Sequence, residues 1–156
     1  IAPHPRNVPD DVLEMVRAND GVVMVNFYPP FVNRDAAEQA VGRFEVARRL
    51  MAELGDEAAV EAELARMLDE DPYPEVGTPE IVDHIEYIAD IAGVPHVGLG
   101  SDYDGVDATP VGLEDVAGYP AITIELLRRG WAEPDIRAVL GENALRVLAA
   151  NDEVTG

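Results

Sequence analysis

Residues 78–105, TPEIVDHIEYIADIAGVPHVGLGSDYDG, place a helix, a stop and a strand in one line. Thr78-Pro79-Glu80 has the cap, first-turn proline and first-turn carboxylate of a helix start. Ile81, Ile85, Ile88 and Ile91 then recur at helical spacing on a core-facing stripe, and Gly93 ends it. The apolar segment VPHVGLGSD follows as a strand whose glycines let backbone or ligand approach closely. A helix feeding directly into such a strand is half of a βα unit.

Upstream, GVVMVNFY at 21–28 is a β-branched and aromatic run bounded by Gly21 and Pro29-Pro30. It fits a strand buried on both faces. Between the two strands, 35 to about 70 is rich in Ala, Glu, Arg, Leu and Met, which predicts two helices with a break near Gly55-Asp56. The proline-rich start, IAPHPRNVPDD, reads as a loop ending in a helix capped by Asp10 or Asp11, with Val12, Leu13, Met15 and Val16 on its apolar face and Asn19-Asp20-Gly21 as its stop. Downstream, 102–120 is a long polar loop, a length typical of functional segments, and closing helices occupy 121–131 and 133–151. The βα alternation implies a parallel sheet. Two parallel strands cannot shield so many amphipathic helices, so the α/β fold expected is the C-terminal part of a (β/α)8 TIM-type barrel, about two strands of it, with 1–156 as a single partial domain.

The 31 acidic residues against 11 basic ones give a net charge of −20, and every basic residue is arginine. Such a surface repels nucleic acid and anionic membranes, and fits either a salt-rich cytoplasm or a GC-rich genome. With no cysteine, disulfides and thiolate metal sites are excluded, leaving His, Asp and Glu as metal ligands. No apolar run approaches the roughly 20 residues of a membrane span, and no signal-peptide pattern opens the chain.

In a barrel the loops after the strand C-termini build the active site, which directs attention to the ends of 21–28 and 94–102. Asn26, Phe27 and Tyr28 end the first; Asn26 or Tyr28 could line a pocket there, Phe27 equally the core. At the second, Asp102 and Asp104 flank Tyr103 and share a side if the strand continues. Two readings stay open for Asp102: a carboxylate working on a metal-bound water, or an Asp-x-Asp-Gly turn. Tyr103 could wall a substrate site or pack beneath the loop. Gly98-Leu99-Gly100 is no dinucleotide fingerprint, because Tyr103 holds the third glycine position; Asp102, Asp104, Gly105 and Asp107 lack the EF-hand spacing. His4, His84 and His96 lie in a loop, a helix and the non-catalytic end of a strand, where packing is the simpler role. Glu114 and Asp115 read as helix caps, Trp131 as a packing anchor, and Asn143 with Arg146 as ties between the last helix and the barrel.

RNVPDD at 6–11, VVMVNFY at 22–28, VDHIEYIADIAGVPHVGLGSDYDG at 82–105, GLEDVAGYP at 112–120, LLRRGW and GENALRVL together resemble the membrane (renal) dipeptidase family, peptidase family M19. The resemblance runs collinearly along nearly the whole chain. It implies a (β/α)8 barrel with two zinc ions bridged by hydroxide, hydrolysing dipeptides whose second residue has either configuration. Asp102 resembles the family's catalytic aspartate, and Arg6 the arginine that holds the substrate's terminal carboxylate, a task suited to a guanidinium; a surface arginine neutralising Asp10 and Asp11 is the alternative. Asn26, Tyr28 and Tyr103 are the further substrate-binding candidates. The family's His-x-Asp pair, bridging Glu and two later histidines are absent from this sequence, so the zinc ligands are expected upstream of residue 1 and the chain alone is expected to be inactive. The expected whole protein is a soluble microbial enzyme, cytoplasmic unless exported, acting on dipeptides, compatible with a homodimer when intact, with no nucleic-acid or membrane partner. Two rivals remain: a non-catalytic truncated barrel or binding module, and another barrel metallohydrolase acting on an amide or ester.

Overall fold

The computed structural model describes residues 1–155, with side chains through Asp152. After an irregular start, α1 spans Asp10–Ala18, and its N-cap is Pro9, extended at φ −74° and ψ 161°. Neither Asp10 nor Asp11 is the cap, which corrects the expectation. Both sit instead in the first turn, where carboxylates meet the positive end of the helix dipole. Strand β1, Val23–Val25, follows, and the short helix α2, Pro29–Val32, leads into α3, Arg34–Leu54.

The Asn33 side chain caps α3 by accepting from Ala36 N at 3.0 Å. Gly55, in the left-handed region at φ 63°, ends it. Asp56 accepts from Ala59 N at 3.2 Å and opens α4, Glu57–Glu70, so the expected break lies where cap residues of both kinds adjoin. Helix α5, Thr78–Ala92, is capped by Gly77 rather than Thr78, with the Glu80 carboxylate reaching back to Gly77 N at 2.9 Å. Its Ile81, Ile85 and Ile88 are buried. A 3₁₀ turn, Val94–His96, then delivers β2, Val97–Leu99.

The strands pair in parallel, Val23 opposite Val97, Met24 opposite Gly98 and Val25 opposite Leu99. Beyond this register Gly100 N donates to Val25 O at 2.9 Å and Phe27 N to Ser101 O at 3.2 Å, so the two chains stay together as far as the site. After the long loop and a 3₁₀ turn at Val116–Gly118 come α6, Tyr119–Arg128, α7, Glu133–Arg137, a π-type turn, Ala138–Glu142, and α8, Asn143–Thr155. The single helix expected over 133–151 is therefore broken, at non-helical Gly141.

The core gathers Leu13, Phe27, Ile81, Val82, Ile85, Val97, Leu113, Ile122 and Leu126 around one face of this sheet. Val25 and Phe27 are buried whereas Met24 is 42% exposed. β1 is thus covered on one face, not on both as its composition implied; in a closed (β/α)8 barrel the Met24 face is the interior. At the opposite end of the strands Asn143, buried, donates through Nδ2 to Val94 O at 2.7 Å and Val97 O at 2.8 Å. Arg146 adds bonds to Asp20 O and Pro95 O at 2.8 and 2.9 Å, so α8 is tied to the N-terminal ends of both strands. No helix among the described residues is long and apolar enough to cross a membrane.

Candidate active site

Met24 lies opposite Gly98 in the sheet, and Asn26 and Gly100 follow just past the strand ends. Glycine at 98 and 100 is what lets Met24 lie across β2: a Cβ on Gly100 would stand 2.8 Å from Met24 Cβ. With the strands this close, Asn26 reaches across 76 positions of sequence and donates through Nδ2 to Asp102 Oδ2 at 2.8 Å. Its Oδ1 accepts from Tyr28 N at 2.7 Å, so both ends of the amide are engaged and its orientation is set.

Asp102 adopts φ 72°, a left-handed conformation unusual for a residue with a Cβ. The turn is closed by Gly105 N donating to Asp102 O at 3.0 Å. A Cβ on Gly105 would lie 2.5 Å from Asp102 Oδ1, so a larger residue there would push the carboxylate from this position. The strand has already ended at Leu99, so Asp102 and Asp104 do not continue a β alternation; the turn, not a strand pleat, directs the carboxylate.

Asp102, Arg6 and Tyr28 line one cavity of about 280 Å³, with Phe31, Val106 and Asp107. The exposed Arg6 lies with its guanidinium carbon 5.0 Å from the centre of the Phe31 ring. Tyr28 shares a hydrogen bond of 2.9 Å with the Tyr73 hydroxyl. Burial, then the Tyr73 bond and the nearby Asp107 charge, push the Tyr28 phenol well above its ordinary range. It therefore stays protonated at neutral pH. His4, stacked against Phe31 with centroids 4.6 Å apart, is held below the usual histidine value by burial first and Arg6 second. The cavity thus combines a cation, two carboxylates, Asp102 and Asp107, and a neutral phenol.

Tyr103 lies apart from these. Its hydroxyl donates to Asp115 O at 2.9 Å, and its ring packs edge-on to Phe27 at 6.1 Å, beneath the loop. Asp115 in turn caps the 3₁₀ turn through Ala117 N at 2.7 Å. Phe31 and Tyr73 were not singled out from sequence, and Asp107 only in the rejected EF-hand reading. Phe31 lies in the short helix α2 and the other two in loops, so no local pattern marks them for this site.

Among the described residues no group of three or more His, Asp or Glu side chains could hold a metal ion. Two of the three histidines are engaged elsewhere, His84 Nε2 with Val32 O at 3.1 Å and His96 Nδ1 with Gly21 O at 2.8 Å, and His4 Nδ1 accepts from Arg6 N at 3.2 Å. The donor set of this site does not fit a resident metal.

Residues 1–155 match the family described as membrane dipeptidase, peptidase family M19. Dipeptidase aclJ of Aspergillus oryzae is 37% identical over 99% of the chain, and an uncharacterized dipeptidase of Schizosaccharomyces pombe is 37% identical over 97%. The chain spans 28% of the length of each. Among solved structures, a metallo peptidase from Rhodobacter sphaeroides, liganded with a phosphinate mimic of the dipeptide L-Ala-D-Ala, superposes with a TM-score of 0.69 at 27% identity, covering 96% of this chain and 32% of that one. A second, described as dipeptidase AC, a metallo peptidase, gives 0.65 at 27% identity, covering 92% of this chain and 32% of that one. The parallel strands and their helices are accordingly part of a TIM-type (β/α)8 barrel.

Proposed function

The chain belongs to the membrane dipeptidase family, peptidase family M19, and from that membership we propose that it supplies the acid–base and carboxylate-gripping part of the active site of a dipeptide hydrolase. The observation that carries this reading is the convergence of Asp102, Arg6 and Tyr28 on one cavity. Hydrolysis of a peptide bond needs a group that takes a proton from the attacking water and returns one to the departing amine. Asp102, oriented by Asn26 and Gly105, has that capacity.

A dipeptide carries a free carboxylate one residue from the scissile bond. Arg6 binds it through a guanidinium fork, which stays charged and offers paired donors. Tyr28, held protonated, adds a neutral donor. The metal of the whole enzyme, for which we favour a zinc pair, is held by residues other than those described, and Asp102 works beside it rather than as one of a ligand cluster in this chain. Residues 1–156 then form part of a single barrel domain.

The test uses the product of the complete reading frame that contains this sequence, assayed on dipeptides with and without chelator. Asp102→Asn is expected to lower kcat by roughly 10²–10⁴-fold. Arg6→Met should raise KM more than it lowers kcat, the mark of lost substrate binding. Full activity in Asp102→Asn would remove the proposed role.

A further inference from the structure

Beside the cavity that holds Asp102 lies a larger one, of about 530 Å³, between the 4–6 segment, α2 and the α3–α4 hairpin. The two share Arg6, Tyr28, Phe31 and Asp107 along their junction. The far wall is apolar: Val41, Phe44 and Ala47 project from α3 at helical spacing, and Leu64 comes from α4. Within residues 1–155 Phe44 and Val41 are 71% and 44% exposed.

Within the wall sits Arg43, only 8% exposed. Its guanidinium stacks on Tyr73, 4.4 Å from the ring centre, and Nη2 donates to the Asp71 carbonyl. The nearest carboxylate, Asp71, is 3.9 Å away on a side chain 75% exposed, a contact weakened by solvent. Nη1 is buried and has no hydrogen-bond partner. A buried cation with an unmet donor is costly unless an acceptor arrives. Of the residues lining the cavity only Asp107 is acidic, and it stands beside Tyr28.

We propose that this cavity is a specificity subsite that takes a carboxylate-bearing side chain of the dipeptide's C-terminal residue, its methylene stem against Phe44 and Leu64 and its carboxylate on Arg43. The assignment rests on the dipeptidase reading for the position of the substrate. A residue whose main-chain carboxylate is on Arg6 has its side chain at the junction of the two cavities. The chemistry of the wall then selects a stem that is apolar and an end that accepts hydrogen bonds from a guanidinium fork.

The experiment compares Ala-Glu, Ala-Gln and Ala-Leu on the product of the complete reading frame, by kinetics and by calorimetric titration. The wild type should favour Ala-Glu over its neutral isostere Ala-Gln. Arg43→Met should lower kcat/KM for Ala-Glu roughly 10- to 100-fold, the worth of a hydrogen-bonded charge, while Ala-Leu changes less than about twofold. Asp71→Asn, an exposed change that leaves the fold alone, should free Arg43 and raise the Ala-Glu preference, which keeps the test open if Arg43→Met does not fold. An absent preference for Ala-Glu, an equal loss on all peptides in Arg43→Met, or an unaltered or lowered preference in Asp71→Asn would overturn the subsite. If no peptide is hydrolysed but Ala-Glu binds more tightly than Ala-Gln in an Arg43-dependent way, the subsite stands and the dipeptidase reading fails. Equal binding of the two overturns the subsite whatever the turnover.

Discussion

Replacing Gly100 by alanine should loosen the sheet under the candidate active site, whereas the same change at Gly98 should not. A Cβ on Gly100 would lie 2.8 Å from Met24 Cβ and 3.4 Å from the Met24 carbonyl carbon and oxygen. Carbon atoms prefer about 3.5–4.0 Å, so the added methyl is short by roughly 0.7 Å or more against an atom fixed to the β1 backbone. No rotamer relieves it; the strands must separate where Gly100 N bonds Val25 O at 2.9 Å. Overpacking of this kind costs about 1–3 kcal/mol. At Gly98 the nearest atom, at 2.7 Å, is Met24 Sδ, the end of a flexible and half-exposed side chain. That side chain can swing away, and the stiffer unfolded chain returns about 0.4–1 kcal/mol, leaving Gly98→Ala near neutral. Urea denaturation followed by the fluorescence of Trp131, the sole tryptophan, measures both. The geometry also dictates the rescue: Met24→Gly removes the obstructing Cβ and should restore Gly100→Ala, while Met24→Ala keeps that atom and should not. Equal stability of the two glycine variants, or rescue by Met24→Ala, would refute the reasoning.

Asn143→Ala removes the donors to Val94 O and Val97 O and should cost about 1–3 kcal/mol in the same denaturation assay, with α8 losing amide exchange protection first. Acid should destabilise the fold in two separable steps. His84 is held below 6.5, chiefly by burial, so the unfolded chain binds the proton more readily and stability falls as pH drops below 6.5; His84→Gln, scanned by thermal melts, should flatten that region. Glu125 is drawn down to about 2 by its bonds to Arg128 and Arg129, so its contribution is complete above its ordinary 4.5 and fades as pH falls towards 2. Glu125→Gln should remove that second step and leave the first.

Much of the architecture is legible one segment at a time. The helices over 34–54 and 57–70 are separated by Gly55, which closes one, and Asp56, which caps the next; both act within a few residues of themselves. Even so, Pro9 rather than an aspartate caps α1, and Gly141, with non-helical backbone angles, interrupts the last helix. At the site, the strand-end positions of Asn26, Tyr28 and Asp102 follow from the run of apolar residues before them. What those residues do there does not.

By itself, then, the sequence determined the parallel βα order and the extreme acidity, since periodicity, caps and charge are properties of neighbouring residues, while the Arg6 candidate, and the choice of Asp102 over a plain turn, came from the family resemblance. Only the tertiary structure decided that Asn26 spans 76 positions to bond Asp102, that Tyr103 bonds Asp115 O beneath the loop, and that Arg43 is buried against Tyr73. Those partnerships join separate elements through contacts of a few ångströms. They exist only once burial of the core has brought the strands and the α3–α4 hairpin together.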